Sequence, residues 1–193
     1  MAIYLQTARL IIRDPLPTDL EGWHSLISDS EAMYYLQDIM TQTEEESRQN
    51  LEIAISEARS PDRTKYFFAV EHGQTGEFIG SAGYTVTGST PFGKFVGMGY
   101  FLLPKHQGKG YATEAIGEVI RFAFEDDNVF RISTGCLKEN IGSEKVMIKC
   151  GMIKEGDYKH HTWHDGQIKD RISYRLLKSE WEQARGMRAE AAD

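Results

Sequence analysis

One stretch limits this chain more than any other. Phe95 to Leu103 reads as a strand, Gln107-Gly108-Lys109-Gly110 follows, and an amphipathic helix begins at once, from about Gly110 to Glu125. Ala112, Ile116, Val119, Ile120, Ala123 and Phe124 recur at helical spacing, opposite Glu114, Glu118, Arg121 and Glu125. A strand that turns into a helix through glycines lets successive backbone N–H groups converge, beside the unsatisfied amides and positive end of the helix. Such a turn suits a phosphate or pyrophosphate, and Lys109 adds charge. The same composition also serves a tight turn that needs glycine for sterics alone. A P-loop is excluded, because Gly110 follows Lys109 where serine or threonine is required. A dinucleotide fingerprint is excluded too: Gly108 and Gly110 lead to Thr113, and the strand sits mid-chain in a meander.

The remaining elements alternate. Arg9 to Arg13 is a β-branched run stopped by Asp14-Pro15. Thr18-Asp19 precedes Leu20, Trp23, Leu26 and Ile27, which predicts a capped helix. A second helix is expected from Thr43 to Ala58, its Glu-rich start suited to the helix dipole. Strands are expected at 66–70, 78–87, 95–103, 131–137, 152–163 and 168–177, the last two joined over Asp165-Gly166. Asn140 to Cys150 reads as a helix with Asn140 as N-cap and Gly151 after its end. A short helix around Glu180 to Arg188 closes the chain, with a charged tail from about residue 186. The order is mixed α and β, α+β in class, around one sheet.

Composition narrows the partners. At 193 residues with 40% hydrophobic and 26% charged side chains, residues 1–193 are expected to form one globular domain. A net charge of -7 argues against a dominant nucleic-acid surface. Two cysteines, Cys136 and Cys150, are too few for a disulfide-built fold and read as small hydrophobes. The first residues lack a signal peptide's apolar stretch, and no run of roughly 18 apolar residues exists to span a bilayer. A cytoplasmic location without membrane contact is expected.

Gln107-Gly108-Lys109-Gly110-Tyr111-Ala112 resembles the Gln/Arg-x-x-Gly-x-Gly/Ala signature of the GNAT acyltransferases. The segment Asn140-Ile-Gly-Ser143-Glu-Lys145, ending in Gly151-Met152, resembles the Asn-x-x-Ser/Ala helix that follows the next strand in that family. Thr7-Ala8-Arg9-Leu10-Ile11-Ile12-Arg13 resembles the opening strand of its ribosomal-protein N-terminal acetyltransferase branch. The resemblance implies a seven-stranded, mostly antiparallel mixed sheet, splayed between its fourth and fifth strands and flanked by helices. It implies acetyl-CoA as acyl donor, its pyrophosphate cradled by Gln107 to Ala112 with Thr113 alongside. It places the pantetheine arm against the edge at Phe101, Leu102 and Leu103, near Asn140, Ser143 and Lys145. Gly97 and Gly99 lie upstream in that strand, consistent with a bulge or a close backbone approach.

The implied reaction is direct acetyl transfer to a primary amine, of a small molecule or a peptide, in a ternary complex without a metal. Such transfer needs a deprotonated amine, a polarised thioester carbonyl and a proton for the leaving thiolate. Many family members use a tyrosine seven residues after the asparagine for that proton, but Met147 stands there. Ser143 takes the role in the serine branch; helix capping is its other reading. Relatives often carry glutamate where Gly97 stands, so the base is sought at His160, His161 or Asp165, with His160 chosen, or in water. His160, His161, His164 and Asp165 also invite a metal reading, but strand alternation points His161 away from His160 and His164, so the three histidines do not converge easily. Asp170 and Tyr174 match polar positions of the last strand. Trp23, Tyr34, Tyr35 and Trp163 read as acceptor-pocket lining or as core. Alternatives from other classes are a non-catalytic acyl-CoA sensor and a thioester hydrolase. The last hairpin and the C-terminal segment offer surfaces for a homodimer.

Overall fold

The structure is a computed structural model that describes residues 2–190, with side chains through residue 187. It divides into two compact units, one of Met1–Thr85 and Met98–Ile120, the other of Val86–Gly97 and Arg121–Asp193. The long elements β4 (Phe78–Thr90), β5 (Gly93–Leu102) and α3 (Tyr111–Glu125) contribute to both.

The first unit also holds β1 (Tyr4–Gln6), β2 (Leu10–Arg13), α1 (Leu20–Ile27), α2 (Glu44–Arg59) and β3 (Lys65–His72). Its strands lie in the order β1-β2-β3-β4-β5. On β2 the alternation is strict, with Leu10 and Ile12 fully buried, so one face of a four-residue strand supplies its packing. The N-terminus of α1 departs from the expected cap. Asp19 makes no side-chain cap bond; its carboxylate takes the Leu16 N–H at 2.7 Å and the Arg13 guanidinium at 2.7 and 2.8 Å. Arg13 also pairs with Glu71, and these carboxylates raise its pKa against the opposing effect of burial. Asp19 thus caps the short turn before α1 and pairs with Arg13, six residues back, in place of capping α1 itself. By contrast, α2 starts at the expected Glu-rich segment, and it carries a local capping box: Thr43 accepts the Glu46 N–H at 3.2 Å while Glu46 takes the Thr43 N–H at 3.1 Å. Trp23, Leu26, Ile27, Met33, Leu51, Ala54, Ile55 and Leu103 form one core cluster of this unit. Each large side chain buried there is worth roughly 1.5–3 kcal/mol.

The second unit contains β6 (Val129–Leu137), α4 (Ile141–Lys149), β7 (Ile153–His164), β8 (Gln167–Leu177) and α5 (Lys178–Glu190), in the strand order β5-β6-β8-β7. The β5–β6 ladder is parallel and runs from Lys94↔Val129 to Gly97↔Ser133. This is the strand pair at which the splay is expected. The β6–β8 and β7–β8 pairs are antiparallel. Trp181 of α5 packs against Phe124, ring centroids 5.4 Å apart.

Two expectations need correction. Eight strands are present among the described residues, not seven. The extra one is β1, whose three residues bury only Leu5 and so carry almost no pattern, yet pair with β2 from Tyr4↔Arg13 to Gln6↔Ile11. The charged tail expected from residue 186 is helical through Glu190, and its last residues, 191–193, lie outside the described part. Among the described residues no helix is long and apolar enough to cross a membrane.

Candidate active site

The turn between β5 and α3 has the geometry its glycines predict. Gly108 and Gly110 both lie in the left-handed region, at φ +71° and +82°, on either side of Lys109. Side chains rarely tolerate that conformation, and two such residues around one ordinary residue turn neighbouring amides to a common side. The amides of Gly108, Lys109 and Gly110 donate to no other group among the described residues. Helix α3 starts at Tyr111, so its first N–H groups and its positive end directly follow the turn's amides. Lys109 is exposed and adds a positive charge.

Gln107 anchors the turn. Its amide Nε2 donates to the Leu102 carbonyl at 3.1 Å, tying the turn to the end of β5. Leu103 donates its N–H to Ile79 O at 3.0 Å, while Phe101 and Leu103 pack in or against the hydrophobic core. Leu102 is buried as well. Of the expected strand edge, then, the Leu103 amide already has a partner.

Behind the turn sits a polar layer. Tyr111 is flanked by His72 and His106, ring centroids 6.1 and 6.2 Å away. His106 is buried; its Nε2 lies 3.3 Å from Glu77 Oε1, which Lys105 Nζ approaches to 2.6 Å. Burial pushes the His106 pKa below its ordinary value, with Lys105 and Lys109 adding to the effect and Glu77 opposing it. The ring is therefore neutral at neutral pH. Glu114, in the first turn of α3, accepts from the Thr7 hydroxyl at 2.7 Å, the Arg9 N–H at 2.9 Å and the Arg9 guanidinium at 2.6 Å. Thr113 and Ala112 are half-buried beside it.

In the second unit, Asn140 caps α4 as expected, its Oδ1 accepting the Ser143 N–H at 3.0 Å. The Ser143 hydroxyl hydrogen-bonds the Cys136 thiol, whose pKa burial raises and that bond partly restores. Glu144 accepts from the buried Tyr174 hydroxyl at 2.7 Å and from Lys154 at 3.4 Å. Burial, then the Glu144 charge and hydrogen bond, push the Tyr174 pKa to about 12, so it stays protonated. Lys145 is exposed, and Met147 is fully buried.

The structure does not bring the histidines of β7 together as simple alternation predicts. A bulge between Tyr158 and Thr162 breaks the period, with His160 at φ +48° and its N–H held by Asp170 Oδ1 at 3.0 Å. His160 and His161 are exposed, whereas His164 is buried. The hydrogen bond that fixes His160 leads to Asp170, not to Ser143. Asp165 lies in the hairpin turn at φ +49°. Among the described residues no three His, Cys, Asp or Glu side chains group as metal ligands. Trp23 is core, with its indole N–H on Asn50 at 2.9 Å; Trp163 is largely exposed, Tyr34 half-buried and Tyr35 at the surface.

Sequence reasoning missed the partners of the turn. Thr7 and Arg9 read only as the start of a strand, and Glu114 only as the polar face of a helix. The Thr7-x-Arg9 pattern carried the signal, but not where it would dock.

Comparison with known proteins gives first the class: acetyltransferases. An N-acetyltransferase of Bacillus subtilis, described as uncharacterized and called YnaD, is 28% identical over 184 residues, 93% of this chain and 99% of its own. The ribosomal-protein-S5-alanine acetyltransferase of Vibrio fischeri superposes with a TM-score of 0.80 at 21% identity, over 93% of this chain and 98% of its own. Spermidine N-acetyltransferase of Vibrio cholerae, solved with CoA and spermine, superposes with a TM-score of 0.77 at 22% identity, over 91% of this chain and 99% of its own. The acetyltransferase (GNAT) domain matches residues 9–153. The chain belongs to the GNAT family and is an acetyltransferase with its mixed α/β fold.

Proposed function

We propose that this chain, acting as one acyltransferase domain, transfers an acetyl group from acetyl-CoA to a primary amine within a ternary complex. The observation that carries the reading is the Gly108-Lys109-Gly110 turn: two left-handed glycines, amides without internal acceptors, a helix start and a lysine. These residues fit a pyrophosphate, and the CoA bound by the spermidine acetyltransferase supports the same ligand class here. Tyr111, Ala112 and Thr113 belong to this subsite, and Gln107 serves it by anchoring the turn to Leu102.

In the second unit, Ser143 is assigned the proton transfer. The amine nitrogen attacks the thioester carbonyl, the C–S bond breaks, and the thiolate takes the Ser143 proton. The serine recovers a proton through solvent from the nitrogen that has become an amide. Asn140 fixes the start of α4 on which Ser143 stands, with Lys145 beside it in that segment. No side chain at Gly97 offers a base. His160 is exposed and held through its N–H by Asp170; through water it takes the proton that an ammonium acceptor must lose before attack, a different proton from the one that returns to Ser143. A protein N-terminus and a polyamine are both acceptors of the right chemistry; the names of the relatives give an alanine of ribosomal protein S5 for one of those proteins and spermidine for the other. The reading implies an enzyme that works in the cytoplasm, without nucleic acid or membrane; a homodimer through the last hairpin is compatible with it.

The bare Gly97 position favours a second reading, a CoA-binding sensor without turnover. Calorimetric titration with CoA, followed by thiol release over a panel of amines, separates the two. CoA binding with no amine-dependent thiol release leaves the sensor. A folded protein that does not bind CoA ends both.

A further inference from the structure

We propose that Thr7 and Arg9 are positioning residues that, through Glu114, hold the Gly108–Gly110 turn in its pyrophosphate-binding form. The inference rests on the CoA reading above and assigns a task to a sequence pattern that reading leaves unused.

Three observations carry it. Glu114 sits in the first turn of α3, and its carboxylate is fully engaged from over a hundred residues away. Oε1 accepts from the Thr7 hydroxyl at 2.7 Å and the Arg9 N–H at 2.9 Å, and Oε2 faces Arg9 Nε and Nη2, each at 2.6 Å. The third guanidinium nitrogen, Nη1, donates to the Lys109 carbonyl at 3.0 Å. The guanidinium also lies 4.6 Å over the Tyr111 ring, the first residue of α3. One side chain thus grips the carbonyl of the residue between the two left-handed glycines and both ends of the first helical turn.

The physical need for such a grip is plain. A turn whose amides face a ligand must point its carbonyls elsewhere, and each needs a donor. Glycines lose more conformational freedom on ordering than any other residue, so a free Gly-Lys-Gly segment would lose that freedom at every binding event. Fixing it in advance removes that cost. The charge matters as well. A carboxylate in the first turn of a helix suits the helix dipole but repels a pyrophosphate at the same helix end. Pairing with Arg9 cancels the repulsion while keeping the carboxylate as an anchor. Arg9 is the apt residue because its fork serves Glu114 and Lys109 O at once, which a lysine cannot do.

Glu114→Gln tests the proposal by its sign. If Glu114 were only a charge near the phosphates, or a trap holding Arg9 away from them, neutralising it would tighten CoA binding. A positioning role requires the opposite. The expected results are about tenfold weaker CoA binding for Arg9→Met and for Glu114→Gln, with the double variant no worse than either. Arg9→Lys should recover only part of the loss. Pantetheine, which lacks the pyrophosphate, should bind all variants as it binds the wild type, by ligand-observed NMR; a general loss of structure would weaken both ligands. Circular dichroism of each variant confirms folding. CoA binding by Glu114→Gln that is unchanged or tighter overturns the inference, as does an equal loss for pantetheine. Wild-type protein that fails to bind CoA overturns instead the reading beneath it.

Discussion

The two functional segments are made in opposite ways. The start of α4 is local: Asn140 accepts the N–H of Ser143, three residues on, and the Cys136 thiol lies only four residues before the Asn140 carbonyl that it meets at 3.7 Å. The turn before α3 is held from afar, by Thr7 and Arg9 through Glu114, and by Gln107 onto β5. Local capping sets the direction of a few atoms and costs little chain entropy. Distant bracing makes the shape of one segment depend on the docking of another, so damage to the N-terminal strand should be felt at the turn.

The sharpest way to break this comparison is at the turn itself. Gly110 holds φ +82°, and a Cβ there would lie 3.4 Å from Arg9 Nη2. Gly110→Phe is expected to lower CoA affinity about a hundredfold or more, since a left-handed bulky residue forces the amides apart and pushes against the brace. Calorimetry checks it, and a loss below fivefold would mean that the turn does not hold the pyrophosphate. Next in size is Ser143→Ala. It should cut kcat about ten- to hundredfold, with CoA affinity within twofold of wild type. Near-normal turnover would return Ser143 to a purely structural place beside Cys136.

Asn140→Ala follows, a change of stability more than of binding. Loss of the cap costs about 1 kcal/mol, read as a lower denaturation midpoint at constant m-value. Cys150 gives a reactivity counterpart to that local region. Burial alone pushes its thiol to about 12, so it is almost wholly protonated at pH 8 and should resist alkylation until the fold is opened by denaturant. Rapid labelling of the native protein at Cys150 would show that the C-terminus of α4 opens locally.

The same local-versus-distant division explains what the sequence made legible. The Glu-rich start of α2, the Asn140 cap, the apolar stripe of α3 and the glycine turn all depend on neighbours within a few residues, and each is present. Where distant partners decide, reading failed in particular ways. Asp19 has the composition of a cap for α1 but turns back to Leu16 and to Arg13, and Arg13 is itself held by the distant Glu71 on β3. Tyr4–Gln6 has no pattern of its own and becomes a strand only because β2 offers an edge. His160 obeys alternation until Asp170 of the adjacent strand stabilises a bulge. At the candidate site, the glycine turn and the Asn140 cap were legible, and the brace of the turn by Thr7, Arg9 and Glu114 was not.

The smallest expected effect concerns the stability of the distant brace. Burial raises the Glu114 pKa, but hydrogen bonds from Thr7 and Arg9 outweigh it and hold the carboxyl below the ordinary glutamate value. A depressed folded pKa means that the ionised group stabilises the fold fully above the unfolded pKa, about 4.3, and loses that contribution as pH falls through the lower folded value. Arg9 is nearly half exposed, so solvent screens the pair and its worth is about 0.5–1 kcal/mol. The stability difference between wild type and Glu114→Gln should therefore be constant from pH 7 to about 5 and shrink below that, as wild-type Glu114 becomes neutral like the glutamine. Raised salt should diminish it at neutral pH, because the pair lies partly in solvent. A difference that persisted undiminished at pH 3 would assign the stabilisation to the shape of the side chain and its neutral hydrogen bonds, leaving charge no part in the brace.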